Sequence, residues 1–171
     1  MTTVIACRPL LTMVSDSRVS HGGGRFMSRK KVQKAGKFLA GVSGDYTQAL
    51  AYLKLFVEAA RVSDAHNPPT MPAYENEFEL LVMSEAGIWI YGVDGTPVEV
   101  EDVDYYAIGS GGAYAAGALA AQERFLCAYD LEMAMEIACE QDTSSALPMV
   151  TITLERKRRS DAARNGVRAL E

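Results

Sequence analysis

A chain of 171 residues, 49% hydrophobic and 23% charged, is long enough to bury a substantial core as one compact domain, or one domain with a tail. Its formal charge of -5 and pI near 5.1 give no general drive toward nucleic acid, although residues 156–159 are locally basic and read as a solvated face or as a docking segment for a partner. Cys7, Cys127 and Cys139 are odd in number, widely spaced and set in apolar segments, which reads as buried thiols in a reducing compartment rather than a disulfide framework or a metal cage. There is no signal-peptide pattern and no apolar run of the roughly 18 residues a membrane span needs, so the expectation is a cytoplasmic protein with no cofactor and no metal.

Along the chain, residues 3–8 and 10–14 are strand-like runs, read as a hairpin turning at Arg8-Pro9. Asp16 stands where the second run leaves the core. Gly22, Gly23 and Gly24 make a turn, and 25–34 reads as one partly exposed ribbon. Residues 37–42 form a short buried strand ending at Ser43-Gly44-Asp45, where Asp45 is an N-cap. The spacing of Tyr46, Leu50, Leu53, Val57 and Ala60 predicts a helix ending near Arg61. A proline-rich loop over 63–73 precedes a hairpin of 78–83 with 87–91, a turn at Asp94-Gly95 and a strand at 97–100.

A further strand, 105–108, feeds Gly109-Ser110-Gly111-Gly112 and a helix over about 113–128, whose alanine- and glycine-built early face suits close packing on a sheet or a neighbouring subunit. Asp130 caps a third helix carrying Leu131, Ala134, Met135 and Ala138 on one stripe, and 149–154 is a last strand. Hairpins at both ends with helices between them predict an α+β fold of two stacked antiparallel sheets flanked by helices.

Four features carry possible chemistry. Removal of Met1 leaves Thr2 with a free α-amine, a nucleophile and its base in one residue; as plain sequence, Met1-Thr2-Thr3 is also an ordinary strand start. The Gly109 cluster follows a strand and opens a helix, but Tyr114 stands where a dinucleotide turn needs a small residue, so it reads as a tight turn exposing the Ser110 hydroxyl. Asp16 alone suits a surface turn, and Lys31 alone a solvated cation. His21 and His66 lie in apparent loops with no triad or metal spacing.

Together these features resemble proteasome β-subunits, most closely the bacterial HslV-type peptidase: Thr2-Thr3-Val4-Ile5-Ala6, Asp16-Ser17-Arg18, Lys31-Val32, Gly41-Val42-Ser43-Gly44-Asp45 before one helix, and Ile108-Gly109-Ser110-Gly111-Gly112-Ala113-Tyr114-Ala115 before another, in order to about Leu154. The resemblance implies a four-layer αββα N-terminal-nucleophile hydrolase domain over 1–154, followed by a basic tail over 155–171. It implies a threonine-type endopeptidase with Thr2 as nucleophile, Lys31 near its hydroxyl, Asp16 holding that lysine, Gly44 supplying the oxyanion hole and Ser110 near the amine. Lys30 is the alternative to Lys31, which is favoured because Val32 follows it. Asp142 and Ser145 resemble the family's D-x-x-S loop, with Ala146 where a glycine usually follows. Val42 stands at the main specificity pocket and suggests an apolar side chain before the cut.

The resemblance further implies stacked homo-oligomeric rings, protein or peptide substrates, and an ATP-dependent unfoldase as partner, with no nucleic acid or membrane. Two other readings stay open: an inactive ring-forming or binding subunit, if Met1 is retained, and an amidase acting on small molecules.

Overall fold

The computed structural model describes residues 2–21, 25–74 and 78–156. Strand β1 (Val4–Cys7) turns through residues 8–11 into β2 (Thr12–Asp16); the Leu11 amide donates to the Arg8 carbonyl at 3.0 Å, and Leu11 takes a positive φ of 50° to make the reversal. The hairpin is the expected one, with a wider turn. Its outer edges are covered by β10 (Tyr105–Ile108) beside β1 and β11 (Met149–Thr153) beside β2, giving a four-stranded antiparallel sheet in the order β10-β1-β2-β11.

The stretch expected as one ribbon over 25–34 is two strands. Strands β3 (Arg18–His21) and β4 (Arg25–Ser28) pair with each other, which puts His21 in a strand rather than a loop. The chain then dives inward at Lys31, and β5 (Val32–Ala35) opens a second sheet with β6 (Phe38–Gly44), β7 (Phe78–Met83), β8 (Ile88–Tyr91) and β9 (Pro97–Glu99), each neighbour antiparallel.

Strand alternation sorts the side chains into three cores. Val4, Ala6 and Met13 face Leu39, Leu81, Met83 and Ile88 between the two sheets. Ile5, Cys7 and Val14 point the other way, under α2 (Gly112–Leu126) and α3 (Leu131–Gln141). Phe38, Ala40, Val42, Leu80, Val82 and Trp89 pack on α1 (Tyr46–Ala59). The sheets approach so closely that a Cβ on Gly41 would lie 2.6 Å from Val4 Cγ1. This is the expected sandwich of two sheets between helical layers.

Both expected caps are present: Asp45 accepts from the Gln48 amide at 3.0 Å and Asp130 from the Met133 amide at 3.0 Å. On α3 the buried stripe is the expected Leu131, Ala134, Met135 and Ala138. On α1 it is displaced to Ala49, Tyr52, Leu53 and Phe56, with Ala60 following in a 3-10 turn, because the large rings of Tyr52 and Phe56 take the core and leave Leu50 and Val57 at its margin. Helix α2 packs through Ala115, Leu119 and Gln122, while a Cβ on Gly117 would meet nothing within 4 Å, so part of its small-residue face is open. Cys127, expected buried, is exposed, because the helix ends there with a left-handed φ of 51°; Cys7 is buried as expected. Met1 and residues 157–171, with most of the basic tail, lie outside the described residues.

Candidate active site

The polar residues singled out in the sequence meet at one end of the β1–β2 pair. Thr2 and Thr3, directly ahead of β1, are 5% and 0% exposed, and the ladder continues to them through the Asp16 amide, which donates to the Thr3 carbonyl at 3.1 Å. By alternation the Thr2 side chain shares the inter-sheet face with Val4, while Thr3 faces the α2–α3 layer.

Asp16, the last residue of β2, is wholly buried and organises this end. Its Oδ1 accepts from the Thr3 amide at 2.8 Å and from Lys31 Nζ at 3.0 Å; its Oδ2 accepts from Lys31 Nζ at 3.1 Å and from the Arg18 amide at 3.0 Å, with the Ala146 amide at 3.4 Å. Lys31 also donates to the Arg18 carbonyl. Lys31 is 2% exposed, whereas Lys30 is exposed, which decides between the two lysines as the buried cation. Burial pushes the Lys31 ammonium below the ordinary lysine range, against the opposing pull of the Asp16 charge. A buried ion pair is costly to desolvate, and here the carboxylate and the ammonium are compensated by several hydrogen bonds.

A second network lies beside the first. Asp142 Oδ2 accepts from Ser110 Oγ at 2.6 Å and from Ser145 Oγ at 2.7 Å, and Oδ1 accepts from the Ser144 amide at 3.1 Å. Burial pushes the Asp142 carboxyl up, but these three donors outweigh it and hold it below the ordinary carboxylate range. The Ser145 hydrogen is committed to Asp142, so at the 2.7 Å contact between Thr3 Oγ1 and Ser145 Oγ it is Thr3 that donates. The same commitment leaves the Ser110 oxygen with its lone pairs free to accept. Ala146, in place of a glycine, does not prevent this loop from forming the contact.

Gly44 ends β6 with φ 103°. In a strand alternate amides point to opposite edges, and the Val42 amide donates to the Lys31 carbonyl at 3.0 Å. The Gly44 amide therefore points to that same edge, past Val32–Gly41 where the pairing with β5 begins. Val42 itself is buried in the α1-side core. The Gly109 turn has φ 86°, and a Cβ there would lie 1.9 Å from the Thr2 carbonyl oxygen.

Two participants have no site role in the sequence reading. Thr3 belongs to the Asp16 and Ser145 networks as closely as any expected residue, and Glu79 on β7 accepts from Ser43 Oγ at 2.7 Å and from the Gly109 amide at 3.0 Å. Ser15 and Ser17 add buried hydroxyls with no hydrogen-bond partner among the described residues. Cys139 is a poor competitor as a nucleophile, since burial and the Asp16 and Asp142 carboxylates push its thiol up to about 11. It borders an open cavity of about 450 Å³ with Glu136, Glu140, Ala146 and Leu147. Exposed His66 donates its amide to Asp64. Among the described residues, no group of three or more His, Cys, Asp or Glu is placed to hold a metal ion, and no helix is long and apolar enough to cross a membrane.

No protein-family model matches the chain, and no curated protein sequence does. Solved structures match closely in shape. BPH of Thiobacillus denitrificans in complex with epoxomicin aligns over 92% of this chain and 100% of its own, with a TM-score of 0.66 and 20% identity. Eukaryotic HslV from Trypanosoma brucei aligns over 91% of this chain and 100% of its own, with a TM-score of 0.65 and 23% identity. The Anbu complex from Pseudomonas aeruginosa, a helical assembly, aligns over 90% of this chain and 81% of its own, with a TM-score of 0.61 and 12% identity. The chain has the HslV-like, proteasome β-type fold.

Proposed function

We propose that the chain is a threonine-type endopeptidase subunit of a self-compartmentalised assembly, using Thr2 once Met1 is removed. The observation that carries this reading is the buried Lys31–Asp16 pair, tied through the Thr3 amide to the residue next to Thr2. A charge pair in that position contributes little to stability that an apolar pair would not, and it supplies positive charge beside a nucleophile.

In the proposed reaction the Thr2 hydroxyl gives its proton to the Thr2 α-amine, directly or through a water, and its oxygen attacks a peptide carbonyl. The negative charge moves to the carbonyl oxygen, toward which the Gly44 amide donates; loss of one such donor elsewhere costs about 2.7–4 kcal/mol. The C–N bond then breaks, the ammonium returns the proton to the departing amine, and an ester on Thr2 remains until water hydrolyses it. Lys31 favours both the unprotonated amine and the developing alkoxide. Ser110, its own hydrogen held by Asp142, accepts an amine N–H and fixes the direction of the nitrogen lone pair. Asp142 and Ser145 position Ser110 and Thr3.

The same reading gives the protein peptide or protein substrates, homo-oligomeric assembly, a cytoplasmic location and an ATP-dependent unfoldase as partner. The helical assembly described for the Anbu relative supports oligomerisation. Intact mass tests the premise: protein lacking Met1 and covalently labelled by a threonine-directed inactivator, with labelling lost in Thr2→Ala, is the expected result. Retention of Met1 in all material would overturn it in favour of a ring-forming or binding subunit.

A further inference from the structure

Glu79 has no part in that chemistry, yet this exposed carboxylate is bonded to the residues directly before Gly44 and Ser110. It is the second residue of β7 and shares a face with Leu81 and Met83, which belong to the inter-sheet core, so it occupies the open end of that layer. There its Oε2 alone accepts two hydrogen bonds, from Ser43 Oγ at 2.7 Å and from the Gly109 amide at 3.0 Å. Ser43 belongs to the five-stranded sheet, and Gly109 follows β10 of the four-stranded sheet. One carboxylate oxygen thus ties the two sheets together.

Each tie ends one residue from an atom used in the proposed reaction: Ser43 precedes Gly44, and Gly109 precedes Ser110. Gly109 also presses on Thr2 itself, since a Cβ there would lie 1.9 Å from the Thr2 carbonyl oxygen and 3.2 Å from Ser43 Cβ. Hydrogen bonds to a carboxylate are shorter and stronger than neutral ones. The arrangement joins the residue before Gly44 to the Gly109 turn that lies against Thr2.

We propose that Glu79 is a positioning residue for peptide hydrolysis, an inter-sheet clamp that sets the spacing between the oxyanion donor at Gly44 and the Ser110 turn. The inference rests on the peptidase reading, and on that reading the clamp acts on the rate of the chemical step rather than on substrate affinity. Preorganised donors lose most of their effect when displaced by a fraction of an ångström.

The test uses full-length Glu79→Ala, Glu79→Gln and Ser43→Ala, assayed for peptide hydrolysis and for amide hydrogen exchange at Gly109. Glu79→Ala is expected to lower kcat on the order of 100-fold with KM nearly unchanged, the scale of a misplaced reacting group. Glu79→Gln, whose amide oxygen still accepts both bonds, is expected to recover most of that loss. Ser43→Ala, which cuts one tie and leaves Glu79 in place, is expected to lose about 10-fold and covers the case in which Glu79→Ala does not fold. Gly109 exchange is expected to quicken in Glu79→Ala and to stay slow in Glu79→Gln. Unchanged kcat in Glu79→Ala, a Gln variant as impaired as the Ala variant, or slow Gly109 exchange in Glu79→Ala would each overturn the clamp. The exchange measurement needs no activity, so an inactive wild type in which Glu79→Ala still releases Gly109 counts against the peptidase reading and leaves the inter-sheet tie standing.

Discussion

The two ends of the β1–β2 pair are equally buried and built on opposite principles. Toward the hairpin turn, Ile5, Cys7, Met13 and Val14 are all 0% exposed and send apolar side chains into the cores on either side. At the other end, one or two residues away, Thr3, Ser15 and Asp16 are just as inaccessible, and Lys31 joins them at 2%. The first end follows the alternation that makes a sandwich stable. The second puts hydroxyls and a charge pair at positions where the fold asks only for volume. Such departures concentrate where a protein does chemistry, since stability alone would replace them.

The contrast can be broken most strongly at Lys31. Lys31→Ala leaves the Asp16 carboxylate buried without its cation and is expected to destabilise by about 3–5 kcal/mol in denaturant unfolding. Pairing Asp16→Asn with Lys31→Met is expected to restore most of that stability while peptide hydrolysis stays lost, separating what the pair does for folding from what it does for reactivity. At the apolar end, Met13→Ala is expected to cost about 2–5 kcal/mol through the cavity it leaves, with the folded fraction retaining its specific activity.

Gly111→Ala comes next. Its Cβ would lie 2.1 Å from Thr3 Oγ1, so Thr3 must leave Ser145, and an overpacking cost of about 1–3 kcal/mol is expected. Ser145→Ala closes the series: it removes one hydrogen bond to Asp142 and the acceptor of the buried Thr3 hydroxyl, and is expected to cost about 1–3 kcal/mol near neutral pH. Because the folded Asp142 carboxyl titrates below its ordinary 3.8, its stabilisation is fully present above 3.8 and is lost as pH falls through the folded value. The cost of Ser145→Ala is therefore expected to shrink below that point, as measured by unfolding across an acid series.

How much of this was legible in the sequence follows from the range of the forces involved. The cap and buried stripe of helix α3 are readable in the sequence, which ends the helix at Cys139 rather than Gln141, because Asp130 caps it locally and its apolar positions fall on one clean period. Helix α1 stands where the sequence puts it, but its buried face is turned by about a quarter turn because apolar residues surround it, and only the packing of Phe56 against Phe38 and Tyr91 shows which of them the core selects. Asp16, Lys31, Ser110, Asp142 and Ser145 were visible only as short matches to a family, and their convergence is long-range: Thr3 and Ser145 touch across 142 positions. Glu79 was invisible for another reason. A lone charge in an alternating strand has the pattern of a solvent-facing residue, and only the meeting of two sheets gives that carboxylate something to hold.

The course of β11 has a practical side. It runs antiparallel to β2, with Met149 opposite Asp16 at the threonine end and Thr153 opposite Thr12 at the hairpin end, after which the Leu154 amide and the Arg156 guanidinium bond to the carbonyls of Leu11 and Pro9. Arg156 therefore lies at least a strand length from Thr2, roughly 17 Å at 3.4 Å per residue. Attachments made after Arg156 start at the remote end of the sheet, whereas even one residue left ahead of Thr2 occupies its amine. Affinity handles, fluorophores and surface tethers belong at the carboxyl end, and a library of amino-terminal fusions would be screening a capped protein.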